Sequence, residues 1–187
     1  ASATAQQRAG RSAAFARGRY RLEASGAAVH AALARVAADR ALVDAVAGGN
    51  LAAARAEAAR TVTGHDHVTA IRVLRGGRVL VATTQHPFDV AGASASLRDR
   101  RRAVLGTLEV TIQDVVGFIR LAHKLTGSQV VVRGASGEAK SSLPAALTAR
   151  LPSAGCATLA GRPFAVRSFG ETSFTGEALT VWVLRAP

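Results

Sequence analysis

Val68-Thr69-Ala70-Ile71-Arg72-Val73-Leu74-Arg75-Gly76-Gly77-Arg78-Val79-Leu80-Val81-Ala82 is the stretch from which the fold is read. Two short runs rich in β-branched residues flank a Gly-Gly pair, the pattern of antiparallel strands joined by a tight turn. Outward from it, residues 85–101 read as a loop, with Pro87, Gly92 and scattered serines. Residues 104–113 (VLGTLEVTIQ) then alternate as a half-buried strand does. Residues 115–125 carry Val116, Ile119, Leu121 and Leu125 at helical spacing and are stopped by Gly127. A strand over 129–133, a short helix over 143–151 and a second hairpin from 162–168 and 178–184 complete the C-terminal part.

Toward the N-terminus, residues 1–60 contain no proline. Phe15, Leu22, Val29, Val36 and Val43 recur at a strict seven-residue spacing, and Leu33 joins the stripe. That period predicts a long N-terminal helix with one continuous apolar seam. The seam suits a dimer contact and packing on the chain's own sheet equally well. Asp39 is placed to cap a restarted helix before Ala41-Leu42-Val43, and Gly48-Gly49-Asn50 to stop it. A third, alanine-rich helix covers 51–60. The resulting expectation is an α+β domain: five or six largely antiparallel strands with a long N-terminal helix packed on one face.

Composition narrows the function classes. A chain of 187 residues, 49% of them apolar, can build a real core without staples. The single cysteine, Cys156, excludes an intramolecular disulfide and a multi-cysteine zinc site, and it reads as a small buried thiol. No apolar run reaches the length of a membrane span, and the first thirty residues lack the apolar core of a signal peptide. The chain contains no methionine, even at position 1, and so reads as a segment of a longer protein.

The formal charge of +12 would suit a polyanion, yet the arginines are spread along the chain. Only 4% of residues are aromatic, and none interleaves with the basic ones as a nucleic-acid stacking platform requires. The densest basic cluster is Arg98, Arg100, Arg101 and Arg102 around Asp99. It reads either as a solvated loop or as the source of one arginine turned inward to hold a carboxylate bidentately. His65-Asp66-His67 could turn two imidazoles to one side, which is short of the three or four ligands that zinc takes. No nucleophile elbow, zinc-protease helix or phosphate loop is present, so no catalytic residue, metal or cofactor is assigned.

Three segments in order carry a family resemblance: 38–55 (ADRALVDAVAGGNLAAAR), 67–92 (HVTAIRVLRGGRVLVATTQHPFDVAG) and 105–127 (LGTLEVTIQDVVGFIRLAHKLTG). Together they resemble the extracytoplasmic single Cache (PAS-like) sensor domains of bacterial transmembrane signal transducers, over 38–184. His86-Pro87 with Gly92 is similar to the element after the second strand of citrate- and dicarboxylate-sensing members, where the histidine helps bind the ligand. Thr84 stands where those members carry an arginine.

The resemblance implies a PAS-like sheet with a small-molecule pocket on the face opposite the long helix, roofed by the loop between strands two and three. It implies a stalk and dimerisation helix over 1–38 and a sensor domain over 39–187. His86 carries over directly as a ligand-binding residue. Arg102, Lys124 and Arg133 are chosen as cations that strand ends and the neighbouring helix bring to the pocket, with Thr111 adding a hydroxyl. The expected ligand is a small anionic metabolite such as a carboxylate, and the expected partner a second copy of the chain through the N-terminal helix. The domain would lie on the extracytoplasmic face of the membrane, between spans absent from this chain. A histidine kinase or cyclase would follow in the cytoplasm, and this segment itself would not be an enzyme. A polyanion-binding module and a dimerising structural domain without ligand are the alternatives.

Overall fold

The structure, a computed structural model, describes residues 2–64, 67–83 and 88–187. They divide into two compact units: residues up to Arg21 with Val115–Pro187, and Leu22–Asp114. Both units are antiparallel sheets with helices, the α+β PAS-like class. The N-terminal helix is long: α1 covers Ala3–Ser25 and α2 Ala27–Ala37. Gly26 separates them, because a Cβ there would stand 2.4 Å from the Leu22 carbonyl oxygen. The heptad seam splits at the same place. Phe15 and Leu22 are half exposed, whereas Val29, Val36 and Val43 are buried in the core of the second unit.

In that unit, α3 (Arg40–Ala47) begins at Asp39, whose Oδ1 accepts from the Ala41 and Leu42 amides at 3.0 and 3.2 Å. Helix α4 (Leu51–Gly64) follows. Strands β1 (Ala70–Arg75), β2 (Arg78–Thr83), β3 (Ala93–Arg98) and β4 (Val104–Thr111) form a sheet in the order β2-β1-β4-β3. Alternation places Ile71, Val73, Val81, Leu97, Leu108 and Val110 on one face, packed against Val29, Leu33, Leu42, Val46 and Ala58 of the helices. The intervening residues stand on the other, helix-free face.

The first unit holds α5 (Val115–Thr126) and strands β5 (Gln129–Gly134), β6 (Ala139–Ser141), β7 (Ala154–Leu159), β8 (Arg162–Thr172) and β9 (Ala178–Arg185), in the order β6-β5-β9-β8-β7. Helix α1 meets this sheet through Ala5 and Ala9 on Ala165. Tyr20 of α1 packs edge-on against Phe118 of α5, with ring centroids 5.3 Å apart. The opposite face is filled by Val131, Phe164, Val166, Trp182 and Leu184 beneath Ala146 and Leu151.

The strands expected in a single sheet form two, and the strands over 93–98, 139–141 and 154–159 escape a reading by propensity. Residues 93–98 (ASASLR) and 154–159 (AGCATL) are small and weakly β-favouring, and are strands because β4 and β8 pair with them. The helix expected over 143–151 is only a 3₁₀ turn at Pro144–Ala146. The carbonyls of Leu147 and Ala149 accept from the Arg133 guanidinium instead of from amides one turn on.

Candidate functional site

The helix-free face of the four-stranded sheet carries a row across all four strands: Ala82, Arg72, Glu109 and Ser94. Arg72 Nη1 lies 3.3 Å from Glu109 Oε2, and the two side chains are only 15% and 28% exposed. The two charges are close enough to pair, yet Oε2 is buried and receives no aligned hydrogen bond. A half-buried ion pair is costly to desolvate and adds little net stability. Its position amid exposed Ala82, Ser94, Ser96 and Thr107 makes a polar platform with a fixed guanidinium.

Residues 88–90, ahead of β3, are tied down at the end of this platform. Val90 N–H donates to the Gln113 carbonyl at 3.0 Å, and the buried Thr111 hydroxyl donates to the Val90 carbonyl at 2.7 Å. Phe88, Asp89 and Val90 are all buried.

Asp89, paired across a β-bridge with Asp114, is 2% exposed, and its Oδ1 has no hydrogen-bond partner. Burial, and then the Asp114 charge, push its carboxyl from 3.8 up to about 7. The folded chain thus keeps a proton that the unfolded chain releases near pH 4. Stability from this group is present at low pH and declines as pH rises from about 4 to about 7. Asp89→Asn is expected to flatten that decline and to melt higher than the parent at about pH 8. Thermal scans across this range check it, and an unchanged pH slope would refute the assignment.

A second feature lies at the other end of β4. An open cleft of about 330 Å³ is bounded by Arg40 and Asp44 of α3 and by Arg98, Asp99, Arg100 and Arg102 of the β3–β4 turn. Arg100 Nη2 donates to Asp44 Oδ2 at 2.7 Å. One arginine of the basic cluster thus does hold a carboxylate, though through one nitrogen and at the surface.

The anticipated ligand residues that the structure describes fall in both units. Arg102 lines the cleft, whereas Thr111, at the far end of β4, spends its hydroxyl on Val90. Lys124 is exposed on α5, and Arg133 belongs to β5 of the other unit. The Arg133 guanidinium stacks 5.2 Å over the Trp182 ring and donates to Leu147 and Ala149 at 3.1 and 3.2 Å. His86, His65 and Asp66 lie outside the described residues. Cys156, expected to be buried, is exposed, because its strand β7 is the edge of the sheet.

Arg72 and Glu109 escape a reading of the sequence. Their signal is a single charge between apolar neighbours, as in Ile71-Arg72-Val73 and Leu108-Glu109-Val110, and it acquires meaning only once β1 is paired with β4. Among the described residues no group of three or more His, Cys, Asp or Glu could hold a metal ion, and no helix is long and apolar enough to cross a membrane.

No family model matches the sequence, and no curated protein matches it. Solved structures do. The periplasmic domain of Vibrio cholerae LuxQ is similar at a TM-score of 0.59 and 12% identity, covering 96% of this chain and 100% of that one. A selenomethionine form of the same domain is similar at a TM-score of 0.59 and 11% identity, covering 96% and 98%. At such identity the shared property is the fold, and it extends over both units.

Proposed function

We propose that this chain is the extracytoplasmic sensing domain of a membrane-bound signal transducer, and that it takes a small anionic metabolite. The observation that carries the reading is the fold shared with a periplasmic domain along 96% of the chain. The three sequence segments that resemble Cache sensor domains support it independently.

The helix-free face of the four-stranded sheet is the proposed ligand platform. The face of the five-stranded sheet away from α1 is occupied by its own side chains, and Arg133 there is committed to carbonyls and to Trp182. Arg72 stands beside Glu109 with its side chain only 15% exposed, and its guanidinium is the cation of this platform that would meet an incoming carboxylate. The family resemblance assigns the roof to the chain ahead of β3 and a ligand-binding role to His86, which lies outside the described residues. A ligand then shifts the balance of roof positions only by its difference in affinity for them. The exposed Phe15 and Leu22 of α1 supply the dimer seam. No side chain performs covalent chemistry.

Thermal unfolding against a panel of small carboxylates and amino acids tests the reading. A ligand at a hundred times its dissociation constant stabilises by about 2.7 kcal/mol, which should appear as a shift of several degrees. A panel in which no member moves the transition would remove the proposal.

A further inference from the structure

We infer that the cleft between the start of α3 and the β3–β4 turn is a separate binding site, for a small dianion bearing carboxylate or phosphate oxygens. The inference stands whether or not the chain is a sensor. The cleft presents four arginines, Arg40, Arg98, Arg100 and Arg102, against two acids, Asp44 and Asp99. Both acids are already engaged. Asp44 pairs with Arg100, and Asp99 Oδ1 accepts the backbone amides of Arg101 and Ala103 at 2.8 Å each. Arg98 Nη1 donates to the Arg102 carbonyl at 2.9 Å, which fixes the rim. The guanidinia of Arg40 and Arg102 have no hydrogen bond or ion pair among the described residues. What remains is an excess of two positive charges over a floor that includes Ala37 and Val43. A volume of about 330 Å³ is at the lower end for ligand sites, which fits inorganic phosphate or a short dicarboxylate.

The backbone supplies an independent sign. Arg102 sits at φ 65°, left-handed, where the turn is closed by Arg102 N–H to the Asp99 carbonyl and Asp99 N–H to the Ala103 carbonyl, both at 3.0 Å. Glycine is the residue that such a position takes without strain. Here an arginine occupies it and lines the cleft, and strain of this kind concentrates where a side chain is used.

Titration calorimetry of the full chain with inorganic phosphate, and separately with succinate, against sodium chloride at matched ionic strength, tests the site. Saturable binding of either anion is expected. Arg102→Gly should weaken it about tenfold or more while leaving the ligand-free melting temperature unchanged or raised. Arg40→Gln should weaken it likewise, and Arg162→Gln, at an exposed arginine that does not line the cleft, should leave it intact, which separates the cleft from a general effect of net charge. No saturable heat with either anion, or parental affinity in Arg102→Gly, would overturn the assignment.

Discussion

Phe118→Ala is expected to destabilise the five-stranded unit by about 3–5 kcal/mol, the range for deleting a fully buried aromatic ring. Phe118 has no exposed surface, and it sits on the buried face of α5 with Val115, Ile119 and Ala122. Its edge-to-face partner Tyr20 is 1% exposed, and the Tyr20 hydroxyl donates to the Thr172 carbonyl at 2.6 Å. Truncation leaves a cavity beside an anchored ring that cannot collapse into it, which places the cost toward the upper end. Tyr20→Phe keeps the ring and removes the hydrogen bond, and should cost about 1 kcal/mol. The chain has one tryptophan, Trp182, in this unit, so denaturant unfolding followed by its fluorescence reads both variants. A loss below about 1.5 kcal/mol for Phe118→Ala would mean that the α1–α5 contact is not part of the core.

Ile71→Ala is expected to cost about 2–5 kcal/mol in the other unit. Ile71 lies in β1, an inner strand flanked by β2 and β4, and is fully buried against the helices. Its amide donates to Thr83 Oγ1 at 2.8 Å, which holds the strand in place while the side chain is removed. Far-UV circular dichroism is the appropriate probe, because this unit has no tryptophan. An effect comparable to that of a surface substitution would contradict the placement of the core on this face. The neighbouring Arg72 points the opposite way, so the two positions separate stability from recognition.

Much of the architecture is legible in the residues themselves. The Gly76-Gly77 hairpin, the strand read over 104–113 and found over 104–111, the Asp39 cap and the C-terminal hairpin all follow from local pattern. The strands over 93–98 and 154–159 are not legible, because alanine, serine and glycine state no preference until a partner strand imposes one. The site shows the same boundary. Arg102 is visible as part of a basic run, but its left-handed backbone and its distance along β4 from Thr111 are properties of the turn. Arg133 reads as an available cation, and only the fold turns it onto Trp182 and two carbonyls. Arg72 reads as an ordinary solvent-facing strand residue until Glu109 is placed beside it.

The affinity of Arg72→Gln and Arg133→Gln for whichever carboxylate or amino acid most stabilises the parent chain is the decisive comparison. Recognition on the helix-free face predicts that Arg72→Gln binds about tenfold or more weakly, while Arg133→Gln binds as the parent does despite a lower melting temperature. Full affinity in Arg72→Gln together with loss in Arg133→Gln would place the ligand on the five-stranded sheet and contradict the account.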